Sequence, residues 1–351
     1  MAFITYNNVG IVGVAACVPK NVSRNADLTD LIPSEEIQKT INNIGIIEKR
    51  FVDKGVTPSD LCFKAADKLL SDLNIDRSTI DVLIFMSQLP DHKIPATSPN
   101  LQHRLGLAKT TACFDMSLAC SGYIYSLSTA FAYASQEGVN RVLLLDGETF
   151  SQIINPKDKV NMPLYGDAGT ATLIEKGNFA RSFFTLFTDG SGQDAIKIDA
   201  GGARVPPDKT NILVKEREDG NFRSNQELYM DGMEVFNFTM RVVPSSIKDI
   251  LERSHKILAD LDHVVFHQAN KFMIEFFVKK LKINTEKVPY SLDKFGNTSS
   301  ATIPLTIVSE LGEALNNKTK QILMSGFGGG LSWATAILEL KNAHISTLVE
   351  Y

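Results

Sequence analysis

The sequence predicts an α/β fold built from two similar halves. Two observations carry this expectation. Apolar runs of strand length alternate with amphipathic stretches of helix length, and one order of sequence features occurs twice. A third observation narrows it: no Ser-, Gly- or Pro-rich linker separates the two occurrences, so the halves are expected to pack intimately.

Strands are expected at Val82–Met86, Arg141–Leu145, Ala171–Glu175, His263–His267, Gln321–Ser325 and Ala334–Leu340, with helical patterns such as Ser59–Leu73 and Pro244–Ala259 between them. The repeat has three parts. Ile80-Asp81-Val82-Leu83-Ile84-Phe85, an acidic residue leading into a buried strand, returns as Leu261-Asp262-His263-Val264-Val265-Phe266. Phe114-Asp115-Met116-Ser117-Leu118-Ala119-Cys120-Ser121 corresponds to Leu292-Asp293-Lys294-Phe295-Gly296-Asn297-Thr298-Ser299. A strand, a glycine loop and a second strand then close each half, through Gly166-Asp167-Ala168-Gly169 in one and Gly326–Gly330 in the other. The expected units are residues 1–177, with the cysteine, and 178–351, with His267 and Asn297. The loop Gly201–Lys209, with Pro206 and Pro207, is the segment most like a boundary.

The chain has 351 residues, 44% of them hydrophobic, enough for a sizeable core. Its 36 basic and 40 acidic residues nearly balance, so no global field favours nucleic acid. The start, MAFITYNNVG, lacks the pattern of a secretory signal. No run of about 18 apolar residues suits a bilayer. A soluble cytoplasmic protein without membrane insertion is expected. The four cysteines, at 17, 62, 113 and 120, show no CxxC pair and no histidine spacing suited to zinc, so no metal site is expected.

Ala119-Cys120-Ser121-Gly122 stands directly before a helical pattern in which Ile124, Leu127, Phe131 and Ala134 recur, with Gly138 expected as the C-cap. At a helix N-terminus, unpaired N–H groups and the dipole favour thiolate over thiol. The motif alone leaves two readings open, a reactive Cys120 or a cysteine packed under the helix. His267-Gln268-Ala269-Asn270 follows an apolar strand and enters a loop, where catalytic side chains commonly sit. Phe295-Gly296-Asn297-Thr298-Ser299-Ser300-Ala301 reads either as an ordinary turn or as a turn that presents the Asn297 amide as a donor. Gly326-Phe327-Gly328-Gly329-Gly330 can bring backbone close to a ligand, but no Gly-Lys-Ser/Thr follows to make it a P-loop.

Taken together and in order, these four motifs, with Trp333, Gly10-Ile11-Val12-Gly13, Pro19 and Gly166-Asp167-Ala168-Gly169, resemble the β-ketoacyl-ACP synthase III family of the thiolase superfamily over essentially the whole chain. The resemblance implies a five-layered αβαβα fold and a homodimer. It implies Cys120 as nucleophile, with His267 and Asn297 assisting the malonyl-ACP half-reaction. An oxyanion hole from the Cys120 and Gly329 N–H groups is also implied, with no metal or other cofactor. The implied partners are an acyl carrier protein, an acyl-CoA or acyl-ACP donor, and malonyl-ACP.

All four cysteines precede residue 121, so the second catalytic cysteine of reversible thiolases is missing. Asn297 stands where elongating synthases carry a second histidine. Lys39 and Asn43 fall where the family grips CoA with a tryptophan and an arginine, which makes an acyl-carrier donor attractive. Phe272 replaces an arginine used to dock the carrier, leaving Lys271 and Lys279 as candidate docking residues. Met230–Phe236 resembles a segment lining the acyl channel, which nominates Phe236 for substrate binding. The alternative is transfer of the Cys120 acyl group to an oxygen or nitrogen nucleophile.

Overall fold

Strand Val9–Val18 shows how the core is organised. Ile11, Val14, Ala16 and Val18 turn to one side, and Val12, Ala15 and Cys17 to the other, each face into its own apolar cluster. A strand buried on both faces reads as an unbroken apolar run, and it needs helices above and below. The computed structural model describes residues 2–351.

In the larger sheet the strands lie in the order His344–Ile345, Val9–Val18, Asp167–Lys176, Arg141–Thr149, Val82–Met86 and Ala112–Met116, and Val349–Glu350 also pairs with Val9–Val18. In the smaller sheet the order is Ala2–Tyr6, Ser182–Thr188, Ser332–Lys341, Thr319–Gly328 and His263–Phe266. Four strands correspond. Val9–Val18, Asp167–Lys176, Arg141–Thr149 and Val82–Met86 are joined antiparallel, antiparallel and parallel. Ser182–Thr188, Ser332–Lys341, Thr319–Gly328 and His263–Phe266 follow the same senses.

Helices α1 (Ser34–Ile44), α2 (Pro58–Asp72), α3 (Ser98–Arg104) and α4 (Gly122–Ala134) belong to the first part of the chain. Helices α5 (Gly232–Ser254), α6 (Lys271–Leu281), α7 (Leu292–Phe295) and α8 (Thr302–Leu315) belong to the second. The apolar faces of α4 and α8 share one cluster with the inner faces of both sheets. Helix α2 and Leu101 of α3 cover the outer face of the larger sheet, and α5 and α6 cover that of the smaller. The result is the five-layered αβαβα arrangement.

Several local expectations shift. Pro244 lies inside α5, which begins earlier, where the Asp231 carboxylate accepts the N–H groups of Met233 and Glu234. Helix α4 is capped at Ser135, and Gly138 takes its positive φ in the turn beyond. The counterpart of strand Ala112–Met116 in the second repeat is the short helix α7. The chain ends are exchanged: Ala2–Tyr6 pairs in the smaller sheet, while His344–Ile345 and Val349–Glu350 pair in the larger. The Gly201–Lys209 loop follows strand Ser182–Thr188 of the smaller sheet and does not mark the change of sheet.

Candidate active site

The segments that lead into α4 and α8 meet at one cavity, lined by Cys120 from the first and Asn297 from the second. Cys120 immediately precedes Ser121, the N-cap of α4, and Gly122 leaves room for the Met86 side chain, whose Cε would lie 2.2 Å from a Cβ there. Asn297 lies five residues before α8, and its backbone is tied down on both sides. Its N–H donates to the Leu164 carbonyl at 2.8 Å, and its carbonyl accepts from the Gly166 N–H at 3.1 Å. His267 directly follows strand His263–Phe266, and its N–H donates to the Ser325 carbonyl at 2.8 Å.

Cys120, His267 and Asn297 line one cavity of about 280 Å³, together with Phe327, Gly328, Met273 and Tyr165. All three chemical side chains are buried from bulk solvent. The Gly326–Gly330 run packs against Cys120. A Cβ on Gly328 would sit 2.9 Å from Cys120 Sγ, so only glycine lets this strand end approach the sulfur. The N–H groups of Cys120 and Gly329 both face Sγ.

Burial pushes the Cys120 thiol up to about 11, against the opposing pull of the Ser299 hydroxyl and the two backbone N–H groups. Proximity to the α4 terminus does not offset the loss of water around the sulfur. Burial thus acts against the thiolate that a helix N-terminus favours. Buried Glu148 adds to the upward push. Its own carboxyl is raised well above the usual range by burial and held by the Ser87 hydroxyl and the Gln88 N–H. Burial lowers His267 to about 3, so the imidazole is neutral. Its Nδ1 lies 2.7 Å from Thr302 Oγ1, which leaves Nε2 as the free edge of the ring. The Asn297 Oδ1 accepts the Ser299 N–H at 2.9 Å, leaving Nδ2 as the free end of that amide.

Other expected site residues lie elsewhere. Phe236 stacks on Phe272 at a centroid distance of 5.9 Å, while its neighbour Val235 lines the cavity. Lys271 and Lys279 line a separate groove of about 1230 Å³ between α1 and α6, and Lys271 pairs with Glu275 at 3.8 Å. Lys39 and Asn43 are exposed, whereas Thr40 and Ile44 of the same helix line the cavity. Gly329 borders a neighbouring cavity of about 420 Å³ with Leu118, Ala119, Phe150 and Leu228, and Ile196 lines both cavities. Ser299 and Thr302, which contact Cys120, Asn297 and His267 directly, were not singled out from sequence: a small hydroxyl in a turn carries no periodic signal.

Comparison with known proteins gives the same answer along the chain. The sequence model for the 3-oxoacyl-[acyl-carrier-protein (ACP)] synthase III family matches residues 114–192, and that for the C-terminal part of the same enzymes matches residues 251–340. The β-ketoacyl-[acyl-carrier-protein] synthase III of Rhodopirellula baltica is 33% identical, covering 94% of this chain and 97% of that protein. The crystal structure of a 3-oxoacyl-(acyl-carrier protein) synthase from Burkholderia xenovorans LB400 superposes with a TM-score of 0.94 at 35% identity, covering 100% of this chain and 99% of the other. The synthase III of Thermus thermophilus does so with a TM-score of 0.81 at 31% identity, over 94% and 98% of the two chains. With relatives of this identity aligned from end to end, the chain belongs to the 3-oxoacyl-[acyl-carrier-protein] synthase III family of the thiolase superfamily.

Proposed function

We propose that this protein is a β-ketoacyl-ACP synthase III, an acyltransferase that loads an acyl group on Cys120 and condenses it with malonyl-ACP. The observation that carries the reading is the single cavity that Cys120, His267 and Asn297 share. Its relatives bear the name of the condensing enzyme, which favours carbon–carbon bond formation over transfer to oxygen or nitrogen.

In the first half-reaction Cys120 Sγ attacks the donor thioester and loses its proton, and the departing carrier thiolate gains one. The acyl chain extends past Ala119 and Gly329 into the neighbouring cavity, whose apolar walls include Leu118, Phe150 and Leu228. In the second, malonyl-ACP loses CO₂ and its thioester oxygen becomes an enolate. Donors on His267 and Asn297 stabilise that charge, a contribution of roughly 3 kcal/mol for each well-placed donor. The carbanion attacks the acyl carbon, and the resulting oxyanion is met by the N–H groups of Cys120 and Gly329. Collapse expels the Cys120 thiolate and frees the β-ketoacyl product.

Acyl carrier protein and malonyl-ACP are thus the substrates. We assign the protein to the cytoplasm; no helix among the described residues is long and apolar enough to cross a membrane. A homodimer is proposed because strand Ala112–Met116 ends the larger sheet with one side unpaired, and an open edge favours pairing with a second copy. The test of the assignment is CO₂ release from malonyl-ACP by His267→Ala and Asn297→Ala. A loss of ~100-fold or more is expected in each, and wild-type rates in both would overturn it.

A further inference from the structure

One proton at the back of the His267 ring decides what its front can do. The neutral imidazole carries a single N–H, on Nδ1 or on Nε2. An enolate oxygen in the cavity needs a donor, and a bare Nε2 would turn a lone pair toward it. Nδ1 must therefore be the acceptor, and an acceptor buried this deeply needs a partner.

Thr302 Oγ1, 2.7 Å from Nδ1, is positioned to be that partner. The hydroxyl has one proton and a second possible acceptor, the Ser299 carbonyl, at 2.9 Å. That carbonyl also faces the ring, but it already accepts the Thr302 backbone N–H. Turning the hydroxyl to Nδ1 therefore orphans no buried carbonyl. Turning it to Ser299 would force Nδ1 to carry the ring proton and leave Nε2 bare. Both Thr302 and Ser299 are almost fully buried, so water does not compete for these positions.

We infer that Thr302 is a positioning residue: its hydroxyl donates to His267 Nδ1 and so fixes the Nε2–H tautomer that faces the cavity. The residue touches no substrate and acts only through the ring. The inference rests on the donor role given to His267 above. It places the decision between a donating and an accepting histidine on a side chain outside the three catalytic positions. The variant that isolates the effect is Thr302→Val, which keeps the β-branched shape and removes the hydroxyl. In it the Ser299 carbonyl is the remaining partner at the back of the ring, and the proton moves to Nδ1.

The experiment is ¹⁵N NMR of the full-length protein labelled at histidine, with the His267 signals assigned by their loss in His267→Ala, alongside CO₂ release from malonyl-ACP. Wild type is expected as Nε2–H. Thr302→Val is expected as Nδ1–H with decarboxylation reduced ~100-fold, and Thr302→Ser as wild type in both readouts. An Nδ1–H ring in the wild type, or an Nε2–H ring in Thr302→Val, overturns the inference. Undiminished decarboxylation by His267→Ala would instead remove the donor role, and the tautomer readout distinguishes the two failures.

Discussion

Ser299 Oγ lies 3.7 Å from Cys120 Sγ, across the interface between the two repeats. The contact depends on an unusual backbone: Ser299 has a φ of +53°, in the left-handed region that costs a non-glycine residue ~1–3 kcal/mol. The conformation lets one residue serve three partners. Its N–H orients Asn297, its carbonyl accepts from the Thr302 backbone N–H, and its hydroxyl faces the Cys120 sulfur.

The hydroxyl lowers the Cys120 thiol against the larger effect of burial. Ser299→Ala is therefore expected to move the thiol further above about 11. Because only thiolate reacts, alkylation by iodoacetamide should climb with pH across the range from 7 to 10 in both proteins, and run several-fold slower in the variant at each pH. Equal rates would show that the hydroxyl does not stabilise the thiolate.

Ile196 lines both the catalytic cavity and its neighbour, so its side chain sets the passage between them. Ile196→Ala is expected to let longer acyl groups reach Cys120, by about two or three carbons, since it removes three carbon atoms of bulk at the junction. Intact-mass detection of acylated Cys120 over a ladder of straight-chain donors reads the change. An unaltered chain-length profile would assign the acyl group to another route.

Much of this site was legible because its parts are sequence-local and ordered. Cys120 before α4, His267 after a strand and Asn297 before α8 each follow from a turn at the end of a strongly patterned element. What escaped was fixed by packing between distant segments. Asp146 and Glu148 continue a strand expected to stop at Leu145, because acidic residues ordinarily end a buried apolar run. Here they are buried on the same strand, and Asp146 faces Ser300 from the other repeat. Phe236 failed to reach the cavity for a simpler reason. Adjacent helix positions point in different directions, and Val235 took the inward one.

The proposed homodimer has a testable edge. In strand Ala112–Met116 the Ala112 N–H donates to Asp81 and the Met116 carbonyl accepts from Ser87, so alternation turns the N–H groups of Cys113 and Asp115 outward. Cys113→Pro removes an outward donor without removing an inward one. It is expected to shift the protein toward monomer by about fivefold or more in dissociation constant, given ~1–3 kcal/mol for a buried group left unpaired. Sedimentation velocity across a dilution series reads this, and an unshifted dimer would place the interface elsewhere.

Asp146 gives a prediction about stability and pH. Burial pushes its carboxyl up to about 7 although the Ser300 hydroxyl donates to Oδ1 and pulls it down. Oδ2 has no hydrogen-bond partner. In the unfolded chain the same carboxyl ionises near about 4. Between about pH 4 and about pH 7 the folded protein therefore binds more protons than the unfolded one, and stability falls as pH rises through that window. Asp146→Asn removes this titration and keeps an oxygen for Ser300. Its melting temperature is expected to exceed that of wild type by ~3 °C or more at pH 8, with the gap closing toward pH 4. Glu148 is raised in the same direction, in part by the Asp146 charge, so the difference between the two curves reads Asp146 together with its coupling to Glu148, while Asp167 is raised without help from Asp146. Parallel curves across this range would mean that the folded protein meets the Asp146 charge with solvation as good as water.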